Sequence, residues 1–121
     1  MEFQSQQIVI ETKAGRQTID AVVGIGSGLA YHLEDEEDEE VYTLTHLLSG
    51  RTISEYGVDD EDVAQRWLEL VASLADWNQD MATLQAQYSR HLQDQIDAAI
   101  DRAYVDVYGD PWEDEEDESR A

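Results

Sequence analysis

Hydrophobic positions fall into two regimes along the chain, alternating in the first third and recurring at helical spacing in the second half. Phe3 to Thr12 is β-branched around Ile8-Val9-Ile10, which predicts a strand, and Lys13-Ala14-Gly15-Arg16 supplies a hairpin turn. Thr18 to Val23 returns as a second strand. Gly24, Gly26 and Gly28 then predict a flexible bend before Leu29-Ala30-Tyr31-His32-Leu33. Val41 to Leu47 is the expected hairpin partner of that segment. The acidic run between them is expected at the tip, because like charges repel and belong in an exposed loop, not inside a ladder. Ser49-Gly50-Arg51 marks a turn, and Thr52-Ile53 a short further strand.

Beyond this point the period changes. Asp59 is placed to cap a helix, with Asp60, Glu61 and Asp62 in its first turn, where negative charge complements the helix dipole. Val63, Trp67, Leu70, Val71 and Leu74 follow at helical spacing. A break is expected at Trp77-Asn78. From about Asp80, Met81, Leu84, Tyr88, Leu92, Ile96, Ala99, Ile100, Ala103 and Tyr104 predict one long helix, stopped by Gly109-Asp110-Pro111. Trp67 and Trp77 are expected in the core. The pattern predicts an α+β fold: an N-terminal antiparallel sheet of about four strands covered by two C-terminal helices. Residues 1–111 form the expected domain, and 112–121 an acidic tail in which Trp112 precedes a run of acids.

Charge sharpens this picture. The chain of 121 residues has 29 Asp and Glu against 7 Lys and Arg, a formal net charge of −22. The acids are clumped at Glu34-Asp35-Glu36-Glu37-Asp38-Glu39-Glu40, at Asp59-Asp60-Glu61-Asp62 and at Glu113 to Glu118. The periodic segments between the clumps argue for a folded domain and against general disorder. Direct binding to nucleic acid is disfavoured, because such binders depend on cationic contacts to phosphate. Adsorption to an anionic membrane is disfavoured for the same reason. No apolar run approaches a bilayer span, and the N-terminus lacks the order of a signal peptide, so a cytoplasmic protein is expected.

Candidate chemistry is sparse. There is no cysteine, which excludes disulfides, thiolate zinc sites and cysteine nucleophiles. Gly24-Ile25-Gly26-Ser27-Gly28 precedes a strand-like segment with no lysine nearby, unlike a phosphate loop. His32 and His46 could face each other across the proposed hairpin as a weak divalent-metal site. As residues of Tyr/Thr/Leu strands they fit an ordinary surface better. Neither Asp106-Val107-Tyr108-Gly109-Asp110-Pro111 nor the Asp59 cluster matches a calcium loop. No serine elbow is present, and solvated acids are not tuned for proton transfer. No catalytic residue, metal or cofactor is assigned, and the expectation is that the protein is not an enzyme.

A folded polyanion suits a basic partner. Asp94, Asp97 and Asp101 share one side of the long helix, at separations of about 5–6 Å that approach the phosphate repeat of a nucleic-acid strand. In size and charge the chain resembles small phage and mobile-element proteins that block restriction or CRISPR enzymes. The resemblance implies a DNA-mimic inhibitor that occludes a nucleic-acid-binding protein. The expected contact residues are Glu34 to Glu40, Asp59 to Asp62, and Asp94, Asp97 and Asp101. An acidic adaptor, chaperone or antitoxin for a basic partner follows the same charge logic. Adaptation to high salt is a third reading, opposed by the clumping of the acids. A homodimer through the long helix stays open.

Overall fold

A computed structural model describes residues 1–36, 39–54, 56–87 and 90–109. Five strands come first: β1 (Phe3–Thr12), β2 (Gly15–Gly24), β3 (Leu29–Glu36), β4 (Glu39–His46) and β5 (Arg51–Thr52). Three helices follow: α1 (Glu61–Ala72), α2 (Met81–Gln87) and α3 (Arg90–Tyr108). The strands form one antiparallel sheet in the order β1-β2-β3-β4-β5. This is the α+β arrangement that the change of period predicted.

Alternation along the strands gives each face of the sheet its own core. Leu29, Tyr31 and Leu44 face the helices and pack with Val63, Trp67 and Ile96. Ile8, Ala21, Val23 and Ala30 form a smaller cluster, with Ile10, Ile19 and Leu47 packed against it. No helix is needed to cover this second face, because the β1–β2 hairpin folds over it. The β2–β3 ladder spans only Val22↔Tyr31 to Gly24↔Leu29, whereas β1 and β2 pair along their full length. Beyond Val22 the two hairpins therefore diverge like the arms of a fork.

The fold of the first arm is fixed at its far end. The Glu11 N–H donates to the Gly50 carbonyl at 2.9 Å, joining β1 to the turn after β4. Gly50 has φ +72°, and a Cβ there would stand 2.8 Å from the Val9 carbonyl oxygen. Only glycine allows this approach without moving β1.

The glycine-rich bend is a packed turn. The Ser27 hydroxyl donates to the Gly24 carbonyl at 2.6 Å, and the Ser27 N–H bonds the same oxygen at 3.0 Å. At Gly28 (φ +79°) a Cβ would lie 2.5 Å from the Trp77 carbonyl oxygen. The expected flexibility is lost because the bend lies against the loop that follows α1, where the Asn78 side-chain amide donates to the Gly26 carbonyl at 3.1 Å.

Helix α1 is amphipathic and buries Val63, Ala64, Trp67, Leu68 and Val71. Its N-cap is Asp60, not Asp59: the Asp60 carboxylate accepts the Val63 N–H, which leaves Asp59 free to meet α3. Two buried indoles bind helix backbone. Trp67 donates to the Ile96 carbonyl at 2.9 Å and ties α1 to α3. Trp77 donates to the Val71 carbonyl at 2.8 Å, which also accepts the Leu74 N–H at 3.0 Å, and so holds the loop after α1 against the helix end. Both tryptophans are core residues, as expected.

The long helix expected from Asp80 is described as two, α2 and α3, with residues 88 and 89 outside the described residues. Asp80 begins α2 by accepting the Thr83 N–H at 2.7 Å. The expected stop at Gly109 agrees with the end of α3 and with its φ of +88°. Residues 110–121, including Trp112, lie outside the described residues. Among the described residues no helix is long and apolar enough to cross a membrane.

Candidate acidic interface

The acidic run enters the ladder instead of forming a loop beyond it. Asp35 lies opposite Glu40 and Glu36 opposite Glu39, while Glu34 is opposite Val41. Backbone hydrogen bonds carry the hairpin further than the expected repulsion allowed. Like charges directly opposite each other weaken a ladder by a fraction of a kilocalorie, less than the repeated backbone pairing sustains. Glu37 and Asp38, expected at the tip, lie outside the described residues. Glu40 is exposed.

The helix-start acids are held by tyrosines from two other elements. Asp59 Oδ1 accepts the Tyr104 hydroxyl at 2.7 Å, and Asp60 Oδ2 accepts the Tyr108 hydroxyl. Tyr104 and Tyr108 stack one turn apart, with centroids 6.5 Å apart. Glu61 Oε2 accepts the Tyr31 hydroxyl at 2.9 Å, and Gln65 donates to the same phenol oxygen. Asp62 is exposed beside them. The bond from Tyr108, and then that from the Val63 N–H, hold the Asp60 carboxyl below its usual range. The same bond pushes the Tyr108 phenol up to about 12.

Tyr42 marks the meeting of the first two acidic groups. Its N–H and C=O pair with Val58, which brings β4 beside the segment leading into α1. Burial raises the Tyr42 phenol, and the charges of Glu61, Glu40 and Asp60 raise it further. The hairpin and the start of α1 therefore present carboxylates to one place.

The third group joins through α3. Positions 94, 97, 101, 104 and 108 fall within one sector of a helix with 3.6 residues per turn. Asp94, Asp97 and Asp101 thus precede the two tyrosines on the side that reaches Asp59 and Asp60. Asp94 and Asp101 are exposed. Asp97 is half-buried, with Oδ2 accepting from Gln93 at 3.4 Å, and Oδ1 buried without a partner among the described residues. Arg66 and Arg102 converge instead on Asp106, at 2.7 and 3.0 Å, on the opposite flank of α3.

The histidines do not form a pair. His46 lies opposite Leu29, and His32 opposite Thr43, so the two occupy opposite faces of the sheet. Neither is a surface residue. His32 is 5% exposed, with Nε2 3.2 Å from Glu34 Oε1. His46 is fully buried. Its Nε2 donates to the carbonyls of Trp77 and Gln79, both at 2.9 Å, so Nδ1 is the acceptor for the Ser49 hydroxyl at 2.8 Å. This is the chemistry of a latch between sheet and loop. Among the described residues no group of three or more His, Asp or Glu side chains is arranged to hold a metal ion.

The roles of Tyr31, Tyr42, Tyr104 and Tyr108 were missed in the sequence. A weak signal existed: the two α3 tyrosines fall at the same helical phase as Asp94 and Asp101. No protein-family model matches the chain, and no match was found among curated proteins or solved structures.

Proposed function

We propose that the protein is a DNA-mimic inhibitor that covers the nucleic-acid-binding surface of a basic partner. A host defence enzyme of restriction or CRISPR type is the partner this reading favours, with the protein acting in the cytoplasm of a host that carries it on a phage or mobile element. One observation carries the reading: the tyrosine bridges make a single row of acids that composition alone leaves scattered. From Asp94 to Tyr108 the row runs about 21 Å along α3, the length of about six base pairs. It then turns through Asp59, Asp60 and Glu61 toward Glu40. A Lys- and Arg-lined groove would meet this row as it meets phosphates, releasing counterions and associating quickly. The row needs no cofactor and no catalytic group.

Asp94 and Asp101 are the residues to test, because both are exposed and neither has a hydrogen-bond or ion-pair partner among the described residues. The protein and its D94K/D101K variant are immobilised and loaded with host lysate, then eluted by salt and, separately, by duplex DNA. One stoichiometric nucleic-acid-binding protein, displaced by DNA and lost with the variant, is the expected result. A partner indifferent to DNA would replace mimicry with an adaptor or antitoxin role. A smear of basic proteins, released together at modest salt, would reduce the charge to a solvated surface.

A further inference from the structure

The fork between the two hairpins has a property that the acidic row does not explain. In an antiparallel strand the N–H and C=O of one residue point to the same side, and successive residues alternate sides. Tyr42 bonds Val58, so the even residues of β4 face away from β3 and the odd ones face it. Thr43 is opposite His32, which turns His32 and Glu34 toward β4. The backbone groups of Tyr31, Leu33 and Asp35 therefore face the other way, toward β2. Tyr31 meets Val22 there, and the β2–β3 ladder ends with that pair. Leu33 and Asp35 continue the same edge with no strand paired to it among the described residues. Across the fork, Asp20 and Thr18 hold the corresponding positions on β2.

A cleft of about 350 Å³ occupies this fork. Ala21, Val22 and Leu33 give it apolar walls, and Asp20 and Glu61 add carboxylates. Leu33 is 44% exposed, although Tyr31 and His32 just before it are buried. An open edge with apolar walls is a template for an added strand. Charge selects the occupant. The chain carries a net charge of −22, so neither a second copy nor its own acidic C-terminal residues suit a cleft with these walls.

We infer that the cleft takes an extended, cationic segment of a partner protein, which adds as a strand to the open β3 edge at Leu33 and Asp35. Its backbone completes the ladder that β2 leaves. Side chains of the segment on the helix-facing side are Lys or Arg, with their apolar stems on Val22 and Leu33 and their charges at Asp20 and Glu61; the alternate ones, on the side of Ala21, are apolar. This contact shares Glu61 with the acidic row but no residue of α3, and it does not rest on the mimicry reading, since it recognises main chain rather than a phosphate-binding groove.

The test is a titration of the 15N-labelled protein with a synthetic nine-residue peptide of alternating Lys and Val, capped at both ends. Two control peptides are used. One has every backbone amide N-methylated, which keeps every charge and side chain but leaves no backbone donor on either edge. The other replaces Val by Gly and Ser. The alternating peptide should bind saturably and shift the Leu33 and Asp35 amides, with slower hydrogen exchange at both. The controls should bind about tenfold more weakly. Leu33→Pro removes an edge donor without touching the β4 ladder and should weaken binding by a similar factor. D94K/D101K should leave peptide binding unchanged. Equal affinity for all three peptides, or shifts spread evenly over every acidic group, would overturn the inference whatever becomes of the DNA-competition experiment. The N-methylated control decides the matter even if Leu33→Pro fails to fold.

Discussion

Replacing Gly50 by alanine should open the fork, and Gly26→Ala is the internal reference. Both glycines have positive φ, +72° and +80°. Each alanine therefore carries the left-handed strain of about 1–2 kcal/mol, partly offset by lower entropy of the unfolded chain. A Cβ at Gly26 meets nothing within 4 Å. At Gly50 it would stand 2.8 Å from the Val9 carbonyl oxygen, 3.2 Å from the Glu11 nitrogen and 3.3 Å from the Ile10 Cα, all of them backbone. Relief requires β1 to move. That movement breaks the bond from Glu11 to Gly50, worth about 1 kcal/mol net, and loosens Ile8 and Ile10 over the second core, for about 1 kcal/mol more. Gly50→Ala should therefore cost about 2 kcal/mol more than Gly26→Ala. With a shift of about 4 °C per kcal/mol, its Tm should be about 8 °C lower. Thermal unfolding followed by far-ultraviolet circular dichroism, at one ionic strength, measures the difference. Equal melting temperatures would refute the claim that the β1–β2 arm is clamped to the turn after β4.

Two bulk properties should follow the same structure. Tyr31, Tyr42, Tyr104 and Tyr108 all have raised phenols in the folded chain, the first three chiefly through burial and Tyr108 through its bond to Asp60. Their stabilising contribution is complete below the ordinary phenol value of about 10 and is lost as pH rises through the folded values. Tyrosinate absorbance should thus lag behind that of a model peptide above pH about 10 and rise together with the loss of circular dichroism; ionisation of all the tyrosines with the fold intact would contradict the bridges. Added salt should raise the melting temperature by screening the net charge of −22. A melting temperature that falls on adding sodium chloride would show that attraction, not repulsion, dominates the surface.

Periodicity carried the elements of this fold but not its closure. Alternation around Ile8, Val22 and Leu44 marked the strands, and the acids before Val63 marked the start of α1. The cap moved by one residue because Asp59 and Asp60 are chemically equal in a sequence. Both meet α3, Asp59 through Tyr104 and Asp60 through Tyr108, and only the Val63 N–H singles out Asp60 as the cap. His46 looked like a surface residue because imidazole is polar, yet its phase with Tyr42 and Leu44 placed it on the helix-facing side. The carbonyls of Trp77 and Gln79 that make its burial tolerable come from more than thirty residues away, and no local pattern encodes them. The fork was equally hidden. It depends on a single close approach at Gly50, which resembles any other turn glycine until β1 is laid beside it. For the acids, composition supplied the quantity, and the tyrosine bridges supplied the arrangement.

The strand order has a consequence for how the chain is made. Every strand pairs with its neighbour in sequence, so loop closures are short and the sheet suits rapid folding. Synthesis proceeds from the N-terminus, and all five strands precede the first helix. Once Thr52 has cleared the ribosome, a nascent sheet can exist with Leu29, Tyr31 and Leu44 still uncovered, awaiting Trp67 and Ile96. Such an intermediate is the species most prone to pair with its neighbours on a polysome. Mutual repulsion between the acidic β3–β4 hairpins discourages that encounter. The charge that, in the function we propose, meets a basic partner thus also guards the chain before it is finished.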